Sequence, residues 1–159
     1  MSTVYKLCMT NPFDWDDYNK PYSDRWFYSS FASGPFQLKY RLNKHTIPEY
    51  GKIFAFDSRD SLKNYITDKS RGYFQLNEKG VSTFSTTYAL FECESTTIET
   101  PNSTDIIPTR EDDFKSYWSR SMNKIYHQYG PGITIPEGTV YCYDLMLSKV
   151  LDVNDVKGI

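Results

Sequence analysis

The stretch from Lys52 to Ile66, KIFAFDSRDSLKNYI, constrains the fold more than any other part of the chain. Lys52 to Phe56 is a short, largely apolar run suited to a buried strand. Asp57 or Ser58 ends it and offers a side-chain oxygen to cap a helix. Asp60 then falls in the first turn, where a negative charge meets the positive end of the helix dipole. Leu62, Tyr65 and Ile66 follow at i, i+3 and i+4 and share one face. A strand that feeds directly into a helix packed back on a sheet is a natural folding centre.

The rest of the chain supplies partners for that unit. Thr3 to Met9 reads as a first strand, interrupted by Lys6 and ended by Asn11-Pro12, since proline cannot donate to a ladder. Phe36 to Leu42 alternates strictly: Phe36, Leu38, Tyr40 and Leu42 take one face, and Gln37, Lys39 and Arg41 the other. Tyr73 to Leu76 and Val81 to Thr86 flank Asn77–Gly80 as a hairpin. Tyr88 to Ile98, Thr139 to Leu145 and Leu147 to Val153 read as further strands. Thr109 precedes a long amphipathic helix, with Phe114, Tyr117, Trp118, Met122, Ile125, Tyr126 and Tyr129 on one broad face and Gly130-Pro131-Gly132 at its end. The tail from Asn154 to Ile159 has no pattern and reads as loose. Over 159 residues this predicts a single α+β domain: one mainly antiparallel sheet with two helices packed on it.

Phe13 to Phe31 fits neither period. It interleaves Asp14, Asp16, Asp17 and Asp24 with Trp15, Tyr18, Tyr22, Trp26, Phe27 and Tyr28, an irregular aromatic-acidic excursion from the sheet. Net charge is −2, so there is no overall basic field to hold a nucleic-acid backbone. Cys8, Cys93 and Cys142 are isolated in apolar segments, which points to free, buried thiols in a reducing compartment. The N-terminus lacks a hydrophobic signal core and no apolar run is long enough to span a bilayer. These features predict a soluble, cytoplasmic protein with no membrane partner.

Val4 to Leu7 (VYKL), Gly51 to Ile66, Tyr88 to Ser95 (YALFECES), Tyr117-Trp118 and Pro136 to Val153 (PEGTVYCYDLMLSKVLDV) together resemble a loose group of small bacteriophage proteins. That resemblance implies a phage or viral accessory protein acting in the host cytosol, and it brings no chemistry with it. The chain is also distantly similar to ADP-ribosyltransferase folds, which place a strand–helix unit mid-chain and end in antiparallel strands. One branch uses an Arg, a Ser-Thr-Ser and a late Glu-x-Glu. Here Ser85-Thr86-Thr87 and Glu92-Cys93-Glu94 lie closer together, and the first strand carries Lys6. This likeness implies NAD as a cofactor and an alternative catalytic set of Tyr40, Tyr65 and Glu137.

Few residues point to catalysis on their own. Glu92 and Glu94 share one face of a strand and are able to split their pKa values; the plainer reading puts them on the solvent side, with Phe91 and Cys93 inward. Asp14, Asp16 and Asp17 lack the Gly and distal Glu of a calcium loop. His45 and His127 have no ligand partners at metal-site spacing, so no metal is expected. Phosphate-loop and nucleophile-elbow motifs are missing from the sequence. The reading that follows is a non-catalytic protein, without cofactor, that binds a host protein or a small ligand. Its expected surface is Trp15, Tyr18, Tyr22 and Trp26 with Asp14, Asp16 and Asp17. Those carboxylates suit a basic protein surface or a cationic or neutral ligand.

Overall fold

The computed structural model describes residues 1–10, 20–29, 37–49, 51–68, 74–77, 80–82, 87–101, 106–107 and 133–157. The architecture is α+β. Strands β1 (Ser2–Thr10), β2 (Phe27–Ser29), β3 (Lys39–Tyr40), β4 (His45–Thr46) and β5 (Ile53–Phe56) come first. Helix α1 (Arg59–Thr67) is followed by β6 (Gln75–Asn77), β7 (Gly80–Ser82), β8 (Thr87–Ser95), β9 (Ile98–Glu99) and β10 (Ile106–Ile107). Strands β11 (Ile133–Thr134), β12 (Thr139–Cys142) and β13 (Leu145–Leu151) lead to helix α2 (Val153–Lys157). β10 and β11 form a separate ribbon, and the other strands form one sheet whose described pairings are all antiparallel. The expected helix after Thr109, with Trp118 and His127, lies outside the described residues, as do Asp14, Trp15, Asp16, Asp17 and Tyr18.

The strand–helix unit forms as its sequence predicts. Ser58, not Asp57, is the N-cap: its hydroxyl accepts from the Ser61 N–H at 3.1 Å. Asp57 instead accepts from the Ser61 hydroxyl at 2.9 Å. Leu62, Tyr65 and Ile66 are buried against Leu7, Phe56 and Leu90. Gly138 closes over this turn with φ +83°, and a Cβ there would stand 2.0 Å from the Ser61 hydroxyl oxygen. Only glycine fits both that φ and that space.

The sheet curls until it meets itself. Tyr141 faces Glu99 and Cys142 faces Ile98; Met146 faces Glu94 and Leu147 faces Cys93. The segments 93–99 and 141–147 are therefore one antiparallel ribbon in constant register, bent at 95–97 and 143–144. Beyond the bend β12 pairs with β5, while β8 pairs with β1 and β1 touches β5 at Tyr5–Phe56. The circuit from β12/β13 through β8, β1 and β5 returns to β12. In a flat sheet β12 and β13 would stand about 19 Å apart, at about 4.8 Å per strand. Three Cα steps span only about 11 Å, so the sheet has to roll. The run expected as one strand from Thr139 to Leu145 is thus two strands around a corner.

The roll sorts side chains by parity. Val4, Cys8, Phe27, Tyr40, Ile53, Ala55, Ala89, Phe91, Cys93, Val140, Cys142, Leu145 and Leu147 fill its interior. The outer layer beneath α1 and α2 holds Leu7, Phe56, Val81, Leu90, Leu151, Val153 and Val156. A register shift between Leu147 and Lys149 inserts one residue into β13, which turns Leu151 to the outer layer although Leu147 points inward.

Lys6 has the parity of Val4 and Cys8 and is 6% exposed inside the roll. On the side away from β8, β1 pairs with β5 at Tyr5 and with β2 from Cys8 onward. Lys6 sits at that change of partner. Its ammonium donates to the carbonyl of Phe54 in β5 and lies 5.6 Å from the Tyr40 ring centroid of β3. A buried cation held this way bridges two strands that no ladder joins.

Two sequence readings are corrected. The tail is helical rather than loose up to Lys157: Asp152 and Asp155 cap each other's N–H groups at 3.0 and 2.9 Å, a reciprocal box that starts α2. Within the described residues 37–42 of the strand expected over Phe36 to Leu42, only Lys39–Tyr40 is strand, and a turn at Arg41–Lys44 with Asn43 at φ 62° ends it. Lys6→Glu is expected to cost about 3–5 kcal/mol, since it sets an unpaired buried carboxylate against a carbonyl. Lys6→Met keeps the stem's packing and is expected to cost less than half as much. Urea denaturation of the two variants measures the order, and equal costs would show that the ammonium does not bridge the strands.

Candidate functional site

The alternative catalytic set is not assembled. Tyr40 is 1% exposed inside the roll, Tyr65 is on the buried face of α1 in the outer layer, and Glu137 is exposed in the turn before β12. Tyr40 and Tyr65 are on opposite faces of the sheet, because the alternation along β1 sends Cys8 to one and Leu7 to the other. Burial holds the Tyr40 phenol well above its ordinary value, so it remains a neutral hydroxyl beside Ser29 at 3.3 Å.

Glu92 and Glu94 share the outer face, with Phe91 and Cys93 buried inward, as the plainer reading expected. They do not form an acid–base pair. Glu92 accepts from Arg59 at 3.4 Å, and the Arg59 guanidinium stands 5.8 Å from the Tyr5 ring centroid. Hydrogen bonds to Tyr5 and then to Glu92 raise the Arg59 pKa. The cluster ties the start of α1 to β8 and β1.

Ser95, Asp144 and His45 meet at the bend of the long ribbon, an arrangement the sequence reading did not find. Asp144 Oδ1 accepts from the Ser95 hydroxyl at 3.1 Å, the Thr96 N–H at 2.8 Å and the Thr96 hydroxyl at 2.7 Å. His45 Nε2 lies 3.6 Å from Asp144 Oδ2. In a nucleophilic triad the imidazole stands between hydroxyl and carboxylate. Here the carboxylate is in the middle, and among the described residues no base touches Ser95. The cluster is a corner clamp. Burial raises the Asp144 pKa, but the Thr96 and Ser95 hydrogen bonds and the His45 charge outweigh it, leaving the carboxyl below its ordinary value.

The thiols are free and buried in one layer. Burial pushes Cys8 up to about 12 and Cys142 to about 11, and raises Cys93 well above its ordinary value, with the Lys6 charge opposing in each case. A protonated, enclosed thiol is a poor nucleophile. No group of three or more His, Cys, Asp or Glu able to hold a metal ion occurs among the described residues. None of their helices is long and apolar enough to cross a membrane.

Three rings of the described residues are exposed: Tyr143 at the bend, whose hydroxyl donates to Glu99 at 2.8 Å, and Tyr22 and Trp26 at the entry to the β2–β3 ribbon. Tyr22, in a 3₁₀ turn at Tyr22–Asp24, is 41% exposed, and Trp26 is 39% exposed. Tyr22 stacks on Phe27 at 5.9 Å, and Phe27 meets Phe91 edge-on at 4.7 Å, so the outer ring is footed in the core. Phe27 opposes Tyr40 and Tyr28 opposes Lys39. Phe27 and Tyr40 point inward, which leaves Trp26, Tyr28, Lys39 and Arg41 on the outward parity. Ser29 anchors the ribbon, taking the Leu38 N–H on its hydroxyl at 3.2 Å. The sequence suggests acidic company for these rings, but cations stand over them. Arg25 lies 4.8 Å from the Tyr22 centroid, Arg41 5.2 Å from Trp26, and Lys39 5.9 Å from both Trp26 and Tyr28. Lys39 and Arg41 come from a segment that pairs with the rings only through the fold, so no local pattern announced them.

No protein-family model, curated protein or solved structure matches the chain.

Two measurements check this account. Because the folded Asp144 pKa is below the unfolded value of 3.8, the ionised carboxylate adds stability above that pH and loses it as pH falls through the depressed value. Asp144→Ala strands the Ser95 and Thr96 donors and is expected to cost about 1–3 kcal/mol at pH 7. The gap to the parent should narrow in acid; a gap that widens in acid would contradict the clamp. The thiols should resist a disulfide reagent at neutral pH until the protein is unfolded, and rapid native-state labelling of all three would contradict their burial.

Proposed function

We propose that this is a small accessory protein of bacteriophage type that binds a host protein or small ligand in the host cytosol without catalysis. The observation that carries the reading is that Tyr22 and Trp26 are both exposed at the entry to a ribbon footed in the core, whereas the exposed Tyr143 ring is tied by its hydroxyl to Glu99. Large aromatic side chains on a rigid support give contact area for little lost freedom, as interface hot spots do. The chemistry-bearing groups of the described residues support the same reading by their engagements. Asp144 clamps the corner, Glu92 holds Arg59, Lys6 bridges β5 and β3, and the thiols are enclosed. The alternative, a diverged transferase using NAD, has less support, because Tyr40, Tyr65 and Glu137 do not share a site.

The test immobilises the protein and its Tyr22→Ala/Trp26→Ala variant in parallel and exposes both to bacterial lysate. Recovery of the partner defined by the parent should fall roughly tenfold or more. The melting temperature should stay nearly unchanged, since both rings are over a third exposed. Equal recovery by a folded variant would place recognition elsewhere, and sustained NAD consumption by the parent would overturn the non-catalytic reading.

A further inference from the structure

We propose that the outward face of the β2–β3 ribbon docks an acidic, partly apolar peptide segment of a partner protein; this rests on the binding reading above and names the partner's chemistry. Tyr28 lies across from Lys39, and Trp26 and Arg41 follow on the same parity just past the Phe27–Tyr40 pair that ends the ladder. Rings and cations therefore alternate on one face. Arg41 and Lys39 lie over the rings at 5.2 and 5.9 Å from the Trp26 centroid. A guanidinium stacked on an indole keeps an N–H edge free for a carboxylate, and the fork geometry of arginine suits a bidentate pair.

The inward residues of the same strands, Phe27 and Tyr40, are 0% and 1% exposed and hold the ribbon. The outward row lies outside that interior cluster. Elsewhere Lys52 and Arg59 each engage a carboxylate, Glu99 and Glu92. No carboxylate of the described residues pairs with Lys39 or Arg41; the polar contact of Arg41 is the Asp24 backbone carbonyl at 3.4 Å. The surface thus presents two cations awaiting anions with an indole between them. That complements glutamates or aspartates spaced by an apolar side chain. A nucleic acid fits less well. A protein of net charge −2 with so few local cations gains little from counterion release. The ring faces on which a base would stack already carry Arg41 and Lys39.

The test measures fluorescence anisotropy of a labelled Glu-Glu-Leu repeat peptide against the full chain, with labelled oligo(dT) and a Lys-Lys-Leu repeat in parallel. The acidic peptide should bind, weaken with added salt, and lose roughly tenfold or more of its affinity in Lys39→Gln/Arg41→Gln and in Trp26→Ala. Arg41→Lys, which keeps the charge and loses the fork, should fall between, and it answers the same question if the double variant fails to fold. Affinity unchanged in folded variants would overturn the proposal. So would tighter binding of oligo(dT) that the same substitutions abolish, which would assign the face to nucleic acid. If lysate capture depends on Tyr22 and Trp26 while the acidic peptide does not bind, the binding reading stands and the acidic-partner proposal is overturned.

Discussion

A single ammonium group holds the point where this sheet divides. β1 is paired with β8 along nearly its whole length, but its other edge is shared between β5 and β2. At the division the backbone ladder is interrupted, and Lys6 spans it from inside, reaching the Phe54 carbonyl on one branch and the Tyr40 ring on the other. The register of β1 against β8 makes this possible, because a slip of one residue would send Lys6 outward and Leu7 inward. A lysine suits this position because its long stem packs among apolar neighbours while its head carries the hydrogen bond.

The opposite side of the roll depends on a carboxylate. The long ribbon has to turn at 143–144 for β12 to reach β5, and a turn leaves backbone and hydroxyl donors without ladder partners. Asp144 accepts three of them. The consequence reaches the thiols. With the corner closed, Cys142 and Cys93 face an interior filled by side chains, as in other small closed sheets. The same burial that stabilises the layer suppresses thiolate formation, so chemistry is removed by the packing that builds the fold.

Much of this was legible in the sequence where the signal is local. The strand–helix unit at 52–66, the first strand, the hairpin at 75–82 and the inward Phe91 and Cys93 all follow from period and capping. The helix at Val153–Lys157 also had a local signal in Asp152 and Asp155, with Val153 and Val156 three apart. The bend within Thr139 to Leu145 had none, because nothing near Asp144 in sequence says that Ser95 and Thr96 will meet it. Lys6 looked like an interruption of an apolar strand and is instead its bridge, a distinction set by where β5 and β3 arrive. For the candidate surface, the rings of Tyr22 and Trp26 stood out by lacking a period. Their cationic neighbours did not, because Lys39 and Arg41 reach them through strand pairing.

The division at β1 also sets apart the ribbon on which the proposed recognition surface lies. One branch, β5, continues the circuit and is covered by α1 and paired with β12, so its side chains are committed to two packed layers. The other branch, β2 with β3, leaves the circuit after pairing with Cys8 to Thr10. Its inward residues, Phe27, Ser29 and Tyr40, are buried against the core. Its outward row lies outside the closed interior and is supported from beneath, because Phe27 abuts Phe91. A surface supported from beneath in this way suits the rings and cations of the proposed docking face. The bridge at Lys6 links that surface to the closed sheet, so the residue that holds the fork together also fixes where the ribbon points.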